Sequence, residues 1–211
     1  QGSSQNPGTI SSQLPARWFY SLADIDRTHI LKLNWVWDLP KIPVGGKAWD
    51  LALNGWQISG IASFISGRPT GVGWSTTTAV DITGTPSDSA RIVVTDNPVL
   101  PKGERTFQRN FRTDVFRVPA VGTVGNAART LLRQPGVNNW DVMAGKNIRI
   151  GERVRLQLRC ELYNAFNHTQ FSSFDTSARL DAQGNQVNAN LGAFTAASPA
   201  RLVQLAVRMA F

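Results

Sequence analysis

The chain of 211 residues is long enough for one good-sized domain or two small ones, and its 42% hydrophobic content can fill a core. Its net charge of +8 comes from a scarcity of acids, since only 17% of residues are charged. It therefore lacks the dense Lys/Arg runs of a nucleic-acid-binding tail, and no nucleic-acid partner is expected. The single cysteine, Cys160, excludes an intrachain disulfide framework and a cysteine-based metal cluster, and the two histidines, His29 and His168, lack ligand spacing.

Residues 1–20 are rich in Gly, Ser, Gln and Pro and read as a loop that leads into order at Trp18, Phe19 and Tyr20. They carry neither a start methionine nor the apolar core of a signal peptide, which suggests a mature form or a fragment. The first strand falls in "RTHILKLNWVWDLP", where Leu31, Leu33, Trp35 and Trp37 alternate with Lys32, Asn34, Val36 and Asp38 until Pro40 and Pro43 stop it. After the turn "KIPVGGKAWD" comes "LALNGWQISGIASFISG". There Trp56, Ile58, Gly60, Ala62 and Phe64 share one parity and Gln57, Ser59 and Ser63 the other, blurred by Ile61 and Ile65. A weaker third strand is expected over Thr70 to Val80. Residues 81–136 read as a long loop with small strands, and an excursion of that length points to a functional external loop.

The C-terminal third has the clearest pattern. Trp140, Val142, Ala144, Ile148 and Ile150 oppose Asp141, Asn147 and Arg149, with Lys146 an exception on the apolar side. Val154, Leu156, Leu158, Cys160 and Leu162 oppose Arg153, Arg155, Gln157, Arg159 and Glu161, and Gly151 with Glu152 predicts a tight hairpin between the two runs. Residues 172–199 form another long polar loop. The last strand sets Val203, Leu205, Val207, Met209 and Phe211 against Gln204, Ala206, Arg208 and Ala210. No helix has comparable support, so the expected fold is all-β and antiparallel, with short turns at one end and long loops at the other.

Alternation alone leaves the solvent of the apolar face open, because a soluble sandwich and a transmembrane barrel both repeat every two residues. Strands of soluble proteins average about five or six residues, whereas a tilted bilayer-spanning strand needs about 9–11. The runs 153–163 and 201–211 meet the longer requirement. Aromatic residues near strand ends (Trp140, Tyr163, Phe166, Phe211) fit interfacial girdles. An arginine facing lipid at midplane costs about 2–4 kcal/mol, so in a barrel the polar row must face the lumen. That row comprises Arg149, Arg153, Arg155, Gln157, Arg159, Glu161 and Arg208, held by interstrand ion pairs and hydrogen bonds or steering an anionic or sugar-like substrate.

Four blocks carry a family resemblance: "DIDRTHILKLNWVWDLP", "GWQISGIASFISGRP", Gly122 to Phe171, and the closing "SPARLVQLAVRMAF". They resemble the C-terminal part of a TonB-dependent outer-membrane receptor of the Oar-like type, which carries a carboxypeptidase-regulatory-like domain. The resemblance covers most of the chain and is poor over 1–15 and 75–110. It implies that residues 1–211 are the C-terminal section of a transmembrane β-barrel of about 22 strands. A plug and a TonB-contacting segment are then expected upstream. It also implies that Val203, Leu205, Val207, Met209 and Phe211 form the C-terminal signal read by the barrel-assembly machinery. The expected place is the cell outer membrane of a Gram-negative bacterium. The partners are outer-membrane lipid, the assembly machinery, the TonB system and an external ligand such as an oligosaccharide, peptide or metal chelate.

No catalytic, cofactor or metal residue is assigned. Asp24, Asp26, Arg27 and His29 could suggest acid/base chemistry, but they sit at a strand entry. "GNAAR" lacks the Lys and Ser/Thr of a phosphate loop, and "NHT" at Asn167 matches a glycosylation sequon. Three functions remain in view: a receptor that imports an external ligand, an adhesive or structural surface protein, and a soluble β-sandwich module that binds carbohydrate through exposed Trp.

Overall fold

The computed structural model describes residues 20–43, 45–77, 90–151 and 153–211. The N-terminal loop with Trp18 and Phe19, the end of the expected strand over Thr70 to Val80, and Glu152 of the hairpin lie outside the described residues. The described residues form two compact units, one within 28–66, 136–171 and 197–211, the other within 20–27, 67–77, 90–135 and 172–196. In chain order the strands are β1 (Ile30–Asp38), β2 (Trp56–Ile65), β3 (Pro69–Thr70), β4 (Gly73–Thr76), β5 (Val93–Val94), β6 (Phe116–Arg117) and β7 (Leu132–Arg133). They continue with β8 (Val137–Ile150), β9 (Val154–Tyr163), β10 (Phe171–Phe174), β11 (Ser177–Leu180), β12 (Phe194–Ala197) and β13 (Leu202–Ala210).

The first unit is one antiparallel sheet of five strands in the order β1-β2-β8-β9-β13. Its strands run 9–14 residues, the length that the alternating rows predict. Gly151 takes a positive φ of 65° in the β8–β9 turn, and the pairing of Ile150 with Val154 places Arg153 in that turn as well. Between β1 and β2 the sequence suggested only a turn and an early start to the second strand. A short helix, α1 (Lys47–Leu53), occupies this segment instead, and β2 begins at Trp56. Ala and Leu at 48 and 51–53 are good helix formers, and Gly55 at φ 79° ends the excursion where Asn147's carbonyl leaves no room for a Cβ.

The second unit is built from the two long connections, β2 to β8 and β9 to β13, and it carries a dry core. Ile92, Phe111, Val115, Phe116, Ala178 and Leu180 are all at most 2% exposed, and Leu132, Phe174 and Leu191 join them. The segment 172–199, expected to be a polar loop, supplies four of these residues, which is a correction to the sequence reading. In β11 the buried Ala178 and Leu180 alternate with the exposed Ser177 and Arg179, a period-two pattern too short to stand out. This strand pairs in parallel with β4, joining the two connections, and Asn110 ties them again by donating to the Gly192 carbonyl at 2.8 Å. Full burial of each Phe is worth about 1.5–3 kcal/mol, so the connections hold together by the hydrophobic effect as a domain does.

Candidate functional site: the two faces of the five-stranded wall

The registers bring every apolar row of the sheet onto one face. Across the strands run Trp35, Gly60, Val142, Leu162 and Val203; then Trp37, Ile58, Ala144, Cys160 and Leu205; then Trp56, Lys146, Leu158 and Val207. These side chains are not covered by a second layer: Trp37 is 59% exposed, Leu205 76% and Val207 70%. Val203, Leu205, Val207 and Met209 share this face, and Phe211 follows β13 at 98% exposure. At the end where the long connections leave, Trp140 packs edge-on against Trp35, Phe64 and Phe166 with centroids 5.6–5.9 Å apart. Trp37 and Trp56 lie at the other end. Tyr163, expected in the aromatic girdle, has the opposite parity: it stands beside Glu161 on the polar face and donates its hydroxyl to that carboxylate at 2.9 Å.

The polar face holds the rest of the predicted wall. Arg155 stands opposite Arg149 on one side and Ala210 on the other; Gln157 lies between Asn147 and Arg208, Arg159 between Gly145 and Ala206, and Glu161 between Met143 and Gln204. Gln157 donates to Asn147 across the ladder at 3.1 Å and accepts from Arg159 at 3.0 Å. Interstrand ion pairs do not accompany these hydrogen bonds: among the described residues the ion pairs involve Arg112 and Arg133, both in the other unit. On β8, β9 and β13 the carboxylates Asp141 and Glu161 stand at the start of β8 and the end of β9, Arg159 lies at mid-strand beside them, and Arg149, Arg155 and Arg208 stand toward the turn. Asn34, Ser59, Asp141, Glu161 and Tyr163 line a groove of about 320 Å³ on the acidic half of this face.

One charged residue breaks the apolar face. Lys146 sits in its third row yet is only 5% exposed, because its ammonium donates to the carbonyls of Ala52, at 3.0 Å, and Asn54, and lies 4.8 Å from the centroid of the Trp56 ring. The sequence marked Lys146 as an exception but gave no sign of its acceptors, which come from α1 and its C-terminal cap.

In the loop unit, Arg112 bridges Asp96 and Asp114, the latter at 3.0 Å. Hydrogen bonding to the guanidinium holds both carboxyls below the ordinary aspartate range. The candidate acid/base cluster does not converge: Asp26 pairs with Arg133 at 2.9 Å and Arg27 donates to main-chain carbonyls. Asn167 of the sequon has a positive φ of 50° and accepts a hydrogen bond from the Arg201 amide at 3.0 Å, so its side chain shapes the turn after β9.

The chain was also compared with known proteins. A family model described as outer membrane beta barrel domain matches residues 1–204. No curated protein and no solved structure is detectably similar. The match agrees with a sheet whose apolar face is uncovered among the described residues. It rules out the soluble sandwich, which would bury that face against a second sheet.

Proposed function

Because the chain belongs to the outer membrane beta barrel domain family, we propose that it forms part of a TonB-dependent receptor of the Oar-like type, which binds a ligand outside the cell and imports it. The chain is an outer-membrane protein of a Gram-negative bacterium, with an all-β barrel-type wall. In this reading the apolar face meets lipid and the polar face lines the lumen. The row from Val203 to Phe211 is the signal for the barrel-assembly machinery, and the long connections lie outside the cell.

The observation that carries the reading is the folding of those connections into a unit with its own core. Loops that merely close a barrel need no dry interior, whereas a core holds side chains in fixed positions for an external ligand. The ligand class is an oligosaccharide, peptide or metal chelate, and no covalent chemistry is assigned. A hydrogen-bonding polar wall, with Arg149, Arg155 and Arg208 toward the turn and Asp141 and Glu161 toward the other end, favours import over adhesion, because an adhesin has no use for a graded lumen.

Calorimetry of the full chain that carries this sequence, titrated with the purified C-terminal domain of TonB, tests the proposal. Saturable one-to-one binding is expected. No binding, with the chain correctly inserted, overturns import and leaves the adhesive reading.

A further inference from the structure

A lysine in a lipid-facing row needs an explanation, and the one Lys146 receives leads to a second membrane contact. Lys146 stands between Ala144 and Ile148 along β8 and opposite Trp56 and Leu158 across the ladders, all in the apolar row. Its ammonium cannot stay charged in hydrocarbon unpaired. The acceptors are the carbonyls of Ala52 and Asn54, at the C-terminal end of α1, where the helix dipole is negative. Trp56 donates its indole N–H to the same Ala52 carbonyl at 2.9 Å and presents its ring to the ammonium. This end of α1 is thereby fastened on the apolar side of the sheet.

The segment is built, not slack. Asn54 accepts from the Ile42 amide at 2.7 Å and donates to the Ile42 carbonyl at 3.0 Å, while Leu39 donates to the Trp56 carbonyl at 2.9 Å. Yet α1 buries none of its residues: Trp49 is 63% exposed and Leu53 40%. These two, four positions apart, share one side of the helix. Trp37 and Ile42, 59% and 49% exposed, extend the apolar surface. The charges of the segment cancel, Asp38 and Asp50 against Lys41 and Lys47, so attraction to an anionic headgroup is not what it offers.

We propose that α1 and its flanks form an anchor in the headgroup–acyl boundary of the leaflet at the turn end of the wall, fastened there by Lys146. The occupant of this apolar surface is lipid, because Trp37 and Trp56, which flank the segment, belong to the lipid-facing rows, the end of α1 is bonded to Trp56 and Lys146 of those rows, and Trp is stable at that boundary. The inference rests on the barrel reading of the sheet.

The test places nitroxide labels at Trp49→Cys and, as a reference inside the wall, at Val207→Cys. Both are made in a Cys160→Ser background of the full chain in phospholipid nanodiscs. Collision with oxygen and with an aqueous nickel chelate is measured for each. Preference for oxygen at both positions, with position 49 shallower, is the expected result. Preference for the nickel chelate at 49 with oxygen preference at 207 overturns the anchor while the barrel stands. Preference for the chelate at both overturns the barrel and the anchor with it. Lys146→Met, labelled at 49, should move that label toward water and raise its mobility, whereas Lys146→Arg should not. A label unmoved by Lys146→Met overturns the fastening role.

Discussion

Arg149 and Arg155 stand directly opposite each other on the polar face of β8 and β9, with no carboxylate paired to either among the described residues. Like charges in this position destabilise a ladder, and an opposite pair contributes roughly 0.2–1 kcal/mol. Arg155→Glu is therefore expected to raise the unfolding free energy of the inserted protein, read from its denaturant midpoint and slope, by an amount in that range. A clear loss of stability would mean that Arg155 already has an anionic partner beyond these residues.

The Asp96–Arg112–Asp114 bridge makes the loop unit sensitive to acid. Both carboxyls titrate below their unfolded value of 3.8 because the Arg112 guanidinium bonds to the ionised forms. Their contribution is complete above that value and is lost as pH falls through the lower folded values. Amide exchange at Thr95, whose N–H is bonded to the Val115 carbonyl, should speed up relative to the rest of the unit only below about pH 4. Arg112→Gln should abolish this acid step, and added salt should weaken it because the groups are exposed.

Phe116 is fully buried, edge-on to Phe111 at 5.9 Å, in the core of the loop unit. Phe116→Ala is expected to cost about 3–5 kcal/mol of that unit's stability. Limited proteolysis should then cut within 90–135 and 172–196, while the five-stranded wall keeps its resistance to unfolding by heat in detergent. Loss of both together would show that the two units fold as one.

Gly60 is the smallest member of its apolar row. A Cβ there would lie 2.4 Å from the Trp35 ring and 2.7 Å from the Asp141 carbonyl. Trp35 covers the glycine and reaches Trp140 at 5.9 Å. Gly60→Val should expel Trp35 and cost about 1–3 kcal/mol, with a change in tryptophan emission. Unchanged emission would contradict the packing described.

Much of the wall was legible because period two is a direct imprint of a sheet with two different solvents. Leu156, Leu158 and Cys160 against Arg155, Gln157 and Arg159 fall on opposite faces as the rows indicated, and the long strands have the expected extents. Features set by contacts distant in sequence were not legible. Phe174, Ala178 and Leu180 look like scattered apolar residues in a polar loop until β11 pairs with β4, a hundred residues away. Lys146 reads as an error in its row until α1 and its C-terminal cap supply two carbonyls. Tyr163 was misplaced because an aromatic at a strand end suggests a girdle, while parity alone decides its face.

The central claim is that the face carrying Leu158 meets lipid and the face carrying Gln157 does not. Gln157→Arg and Leu158→Arg differ by one position and by the whole thickness of the wall. The measurement is the fraction of full chain recovered in the outer membrane with the heat-modifiable mobility of an assembled barrel. Gln157→Arg should match the parent, and Leu158→Arg should fall well below it, since arginine on the lipid face costs about 2–4 kcal/mol at midplane. Equal assembly of both variants would contradict the account.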